Sequence, residues 1–405
     1  NIGIGFNEDE RERTNAQLTL QFAPSDELTI TADAFYAQNV QNSVALVDGL
    51  WHQATNYSDV EFDGNEQAAS PVRLEEIIEG GATNPFGAAD FFFQNLTLGV
   101  EETLESFGLN FEYQMRDNLN LKFDVATASA ESGPDGPFGL NSLRFNYAAA
   151  AAGWRAWDYT LNIPQVSVVV DEQRTSDPGG PNGILEAADI GTQVTQEYFS
   201  EQITDTDQFR FDGTWDVKDD VVVQFGAGYL GTEMEQNFEQ GQLTLGGWGA
   251  DNPGDIPAGL ITETCSGCEF DANLSNTTPA AGNALPAGAT AIPLGSVSFI
   301  GDSVALSEGL ASTYGYTPGS ITSVGSADNL VEEEIVSAYV QADFDGEFAG
   351  FPAHLTVGAR YEYTDVTSTT NQSVPEAVIW ESDNDFLVQS SADSQNIKDS
   401  SSYNN

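Results

Sequence analysis

The stretch Phe107–Val125, FGLNFEYQMRDNLNLKFDV, decides the fold class. Phe107, Leu109, Phe111, Tyr113 and Met115 alternate with Gly108, Asn110, Glu112 and Gln114. After Arg116-Asp117-Asn118 the alternation resumes through Leu119, Leu121, Phe123 and Val125. A period of two puts the apolar set on one face of a strand. Two such runs around a short Asp/Asn turn read as a β-hairpin.

Three more hairpins follow the same rule. Ala16–Phe22 and Leu28–Tyr36 flank Pro24-Ser25-Asp26. Phe209–Trp215 and Val221–Tyr229 flank a turn over 216–219. Val336–Phe344 and Leu355–Tyr363 flank a turn over 345–350. No charge interrupts the apolar faces. The opposite faces carry Asp33, Glu112, Lys122, Asp124, Asp212, Asp343, Arg360 and Glu362. Phe22, Tyr36, Trp215, Tyr229, Phe344 and Tyr363 stand at strand ends, as in an aromatic girdle.

Alternation fits a membrane barrel and also a sheet with one wet face. Strand length favours the barrel, because five same-face residues tilted by ~45° cover roughly 20 Å, near the ~25 Å apolar band. So does asymmetry, because the turns are short while the connections over 38–104, 127–207 and 231–334 are long. The expectation is an all-β chain forming part of a large antiparallel transmembrane β-barrel, with short periplasmic turns and long extracellular loops. Residues 1–405 then make one partial barrel domain. Within the long connections, Pro71–Ile78 reads as one or two helical turns and Pro164–Val170 as an added strand.

Composition narrows the function. The net charge is −51, from 63 acidic and 12 basic residues, which excludes nucleic acid and disfavours anionic ligands. No apolar run approaches the ~18 residues of a membrane helix. Cys265 and Cys268, the two cysteines, sit in a Gly/Ser-rich stretch. They read as a disulfide loop formed in an oxidising compartment rather than half a zinc site or a redox pair. The chain starts at Asn1 and its tail DSQNIKDSSSYNN is polar, so both ends look cut; a plug domain and an aromatic-ended final strand are expected to be missing.

Catalytic signatures are lacking in the sequence. His52 and His354 are the two histidines, and no zinc-protease, nucleophile-elbow or P-loop motif occurs. Gly301-Asp302-Ser303 echoes a hydrolase motif by chance. Asp177–Asp189 has the length of a calcium loop, but Pro178 and Gly180 fall where ligands are needed. The expectation is a protein that is no enzyme and holds no metal or cofactor. Trp51, Trp154, Trp157, Tyr159 and Trp248 fall in the long connections as candidate stacking surfaces for a sugar-like solute.

Two stretches carry a family resemblance. Arg13–Leu28 with Asp33–Tyr36, and Ser337–Asp343 with Val357–Thr364, resemble barrel hairpins of TonB-dependent outer-membrane receptors. The likeness is to the proteobacterial subgroup linked to glycan uptake. It implies a plugged, 22-stranded barrel in the bacterial outer membrane, surrounded by lipid. It also implies import of a carbohydrate or siderophore-like chelate, driven by an inner-membrane coupling protein that contacts an N-terminal region. The eight polar-face residues would then face the lumen. Three other classes compete: a passive porin-like channel, a secreted acidic β-rich binding or adhesion protein, and a secreted glycoside-binding enzyme.

Overall fold

A computed structural model describes residues 2–404 except 52–56, 66, 68, 79–88, 161–163, 171–181, 183, 248–251, 270–289, 373, 383–384 and 391–394. The chain folds as β1 (Ile2–Ser25), β2 (Leu28–Leu50), β3 (Tyr57–Phe62), β4 (Pro71–Ile77), β5 (Ala89–Arg116) and β6 (Leu119–Pro134). Next come β7 (Ser142–Asp158), β8 (Gln165–Val170), β9 (Gly191–Lys218), β10 (Val221–Thr244), β11 (Ile261–Thr264), β12 (Ala291–Pro293) and β13 (Ser298–Gly301). The helix α1 (Ser303–Tyr314) precedes β14 (Ser323–Phe348), β15 (Phe351–Gln372), β16 (Pro375–Ser382), β17 (Asp385–Ser390) and β18 (Gln395–Asn404).

The hairpin strands make one antiparallel sheet in the order β1-β2-β5-β6-β9-β10-β14-β15-β18. Each turn is two residues: Asp26-Glu27, Asp117-Asn118, Asp219-Asp220 and Ala349-Gly350. The last is tighter than the six-residue turn expected over 345–350, because Ala349 and Gly350 both adopt positive φ (54° and 83°) and let the strands pair up to Phe348 and Phe351. The strands also run far beyond the expected hairpins. β2 continues to Leu50 and β5 begins at Ala89, so much of 38–104, 127–207 and 231–334 is strand rather than loop. Pro71–Ile77 is a strand, not helical turns, because its backbone pairs with β3 on one side and β7 on the other.

β6 and β7 share one lane of the sheet. β6 pairs with β5 from Arg116 up to Val100, and β7 takes over from Leu98 to Ala89. Between them the chain jogs through Asp135–Asn141, with Phe138 and Gly139 at positive φ. Gly99 faces this jog: its N–H donates to Asn141 O at 2.9 Å and its carbonyl accepts from Asp135 N at 3.1 Å. A Cβ there would lie 2.5 Å from Gly136 N, so only glycine lets the jog cross so closely.

At the far end from the turns, a body of connections packs on the sheet. Its core joins Leu50, Phe91, Phe93, Phe145, Tyr147 and Ala149 of the sheet to Ile256, Leu294 and Phe299 and to Leu306 and Leu310 of α1. The alanine run Ala148–Ala152 lies in β7, where small side chains let neighbouring layers approach.

Closure is absent. Among the described residues β1 pairs with β2 alone, and β18 pairs with β15 alone. The sheet therefore keeps two free sides, and this corrects the expected transmembrane barrel. Alternation specifies which face of a strand is apolar; closure depends on stagger and tilt summed over all strands, which alternation does not encode. The lumen, the porin-like channel, the outer-membrane location, the lipid surround and the inner-membrane coupling partner all required closure and fall with it. No helix among the described residues is long and apolar enough to cross a membrane.

Candidate functional site

Register defines rows of side chains across the sheet. One row runs Leu20, Ala32, Leu109, Val125, Phe209, Tyr229, Val336, Tyr363. It is apolar across eight strands, and it is bare: Leu20 is 60% exposed, Phe209 43% and Val336 50%. The rows nearer the turns are apolar too, with Phe22, Trp215, Val340 and Leu355 exposed and Phe111 and Leu121 half-buried.

The same face is covered at its other end. Leu109 and Phe93 share the parity of β5, and Phe93 packs edge-on against Phe299 at 5.1 Å between centroids. Tyr147 Oη donates to the Phe299 carbonyl at 2.6 Å. Asp48 lies beside Phe93 in the register and accepts hydrogen bonds from the Ser266 and Ser298 hydroxyls. Burial pushes its carboxyl up to about 6, against the lowering effect of the two serines. One continuous face is thus sealed above by the protein's own connections and left open below.

Between these zones lies a band of carboxylates. Two rows above the Leu20 row stand Ala16, Tyr36, Glu105, Ser129, Asp205, Glu233, Glu332 and Thr367. The intervening row holds Asp207, Glu334 and Asp365. The field is felt at Tyr229, whose hydroxyl is raised by the Glu334 charge first and by Asp207 as well. Among the described residues these two rows hold no basic side chain; Lys398 on β18, level with Thr369, lies one row beyond them.

A cleft of about 530 Å³ opens at the seam, where the covering body meets the sheet. Val44 and Thr97 floor it, and Thr262, Glu263, Asp302 and Ser303 wall it. Asp302 caps α1 by accepting from Ala305 N at 2.8 Å, which gives the Gly301-Asp302-Ser303 sequence a structural role. Among the described residues there is no group of three His, Cys, Asp or Glu side chains arranged to hold a metal ion.

The opposite face of the sheet holds the eight polar residues singled out by alternation. Lys122 pairs with Glu112 at 2.7 Å, and Asp124 accepts from Asn110 at 2.6 Å. Asp212 pairs with Arg210 at 2.6 Å and accepts from Tyr339 Oη at 2.6 Å; that bond to Asp212 chiefly raises the Tyr339 hydroxyl. Asp343 accepts from Thr356 at 2.6 Å, which with Gln341 holds its carboxyl below the usual range. Arg360 pairs with Glu362, and Asp33 packs against Gly108. In an open sheet these residues lie on a polar face, where Lys122 and Glu112, and Arg360 and Glu362, pair with each other and Asp124, Asp212 and Asp343 bind neighbouring side chains, rather than lining a lumen.

The aromatic candidates separate. Trp154 and Trp157 are buried, with Trp154 Nε1 donating to Glu75, so neither ring faces a solute. Trp51 and Tyr159 are exposed, and Trp51 packs 5.7 Å from Phe92. Trp248 and His52 lie outside the described residues, as do 177–181 and 183 of the Asp177–Asp189 stretch; Asp189 itself is buried and accepts from Glu186 N. His354 Nδ1 donates to the Asp345 carboxylate over 2.8 Å, which raises its pKa, and it sits exposed beside the fourth turn. Cys265 and Cys268 are joined by a disulfide.

No protein-family model, no curated protein and no solved structure matches this chain. The resemblance to TonB-dependent receptors thus finds no support in comparison, and the open sheet contradicts it.

Sequence reading missed Asp48, Ser266 and Ser298. Asp48 carried a signal: it breaks the set Val44, Leu46, Leu50 on one face of β2. The serines, more than two hundred residues away in sequence, carried none.

Proposed function

We propose that this chain is an exported, acidic, β-rich binding or adhesion protein that works through the uncovered apolar face of its sheet and catalyses no reaction. One observation carries the reading: the same face is sealed by the covering body at one end and bare over eight strands at the other. Exposed apolar patches larger than a few hundred Å² mark interaction sites. The disulfide supports assembly in an oxidising compartment.

The test is adhesion of the full chain to methyl-terminated and hydroxyl-terminated surfaces by surface plasmon resonance. The double variant Leu109→Asp/Val336→Asp places two charges in the bare rows. We expect selective retention on the methyl surface and at least a roughly tenfold loss for the variant. Unchanged retention in a variant with native circular dichroism would refute the reading.

A further inference from the structure

Resting on that reading, we infer that the partner is a protein surface whose apolar patch is framed by Lys and Arg. The apolar rows have a frame of their own. Above them runs the band with Glu105, Asp207, Glu233, Glu332 and Glu334. Below them the turns carry Asp26, Asp117, Asp219 and Asp220, against Arg116 and Lys218. Any occupant of the face brings its own borders against these carboxylates.

Area and charge select the occupant. Eight strands ~4.8 Å apart and nine residues at ~3.3 Å each give a face of roughly 1,100 Å². A stable complex needs about 800 Å² on each partner, so the face is large enough for one protein partner. A second copy brings another net charge of −51 and the same acidic frame, so copies repel at moderate ionic strength. A partner with an acidic or neutral border leaves the carboxylates unpaired or opposed. A basic border pairs with them at the rim, where complementary charge sets specificity and encounter rate while the apolar patch supplies affinity.

The experiment uses the full chain and three amphipathic helical peptides sharing one leucine face. Their flanking positions are lysine, glutamine or glutamate. Binding is measured by fluorescence anisotropy at low and high salt. We expect the lysine peptide to bind roughly tenfold tighter than the glutamine peptide at low salt, with the gap closing at high salt. Glu233→Gln/Glu332→Gln/Glu334→Gln should shrink that ratio. Equal binding of lysine and glutamine peptides overturns the inference but leaves adhesion through the face standing. Binding of none of the peptides overturns it as well, and the methyl-surface assay then decides separately whether the face adheres at all. Concentration-dependent self-association by light scattering would name a second copy as occupant and overturn it. Zwitterionic phosphatidylcholine vesicles outcompeting the lysine peptide would do the same in favour of a lipid surface.

Discussion

Asp48 is a carboxylate enclosed where the sheet meets its cover, and Asp48→Asn should change how stability depends on pH. Its Oδ2 accepts from Ser266 and Ser298, and its Oδ1 has no partner among the described residues. Burial moves its pKa from the ordinary 3.8 to about 6. At about 1.4 kcal/mol for each tenfold change in proton affinity, ionising it in the native state costs about 3 kcal/mol relative to the unfolded chain. The sign follows from the raised native value. The protonated form favours folding, so this contribution is complete below about pH 4 and is lost as pH rises through about 6. Asparagine keeps the shape and removes the titration. Many other carboxylates also titrate here, so the informative quantity is the difference between wild type and variant. Urea unfolding followed by circular dichroism across this range should show the variant gaining about 3 kcal/mol on wild type from about pH 4 to about pH 7.5. A difference flat to within about 0.5 kcal/mol would mean that water reaches the carboxylate, and the sealed seam would be refuted.

Other sites give sharper structural tests. Arg155 and Glu76 form an ion pair with both side chains fully buried, and Arg155 Nη1 and Nη2 lack partners among the described residues. Glu76→Gln should cost about 3–5 kcal/mol in urea unfolding, whereas replacing both partners by Leu and Met should be near neutral. Gly99→Ala pushes a methyl into the backbone of the jog and should cost about 1–3 kcal/mol, with faster amide exchange at position 99 itself and at Asp135. Cys265→Ser/Cys268→Ser opens a very short loop, so the midpoint of unfolding should fall by no more than about 2 kcal/mol worth of stability.

The sequence by itself determined the strands nearest the turns, their apolar face and their polar face. A period of two is a local property, and Asp, Asn and Gly at the bends report local backbone demands. The acidic band was legible in the same way, as Glu332 and Glu334 share the parity of Val336 and Val340. What tertiary structure decided is whatever depends on distant segments meeting. β4 is a strand because β3 and β7 flank it, although its own residues read as helical turns. Trp154 and Trp157 are buried because connections from other parts of the chain cover them, which their loop-like context did not reveal. Closure was the largest such decision. Each strand's alternation is the same in an open sheet and a closed one, and only the pairing of the outermost strands distinguishes them.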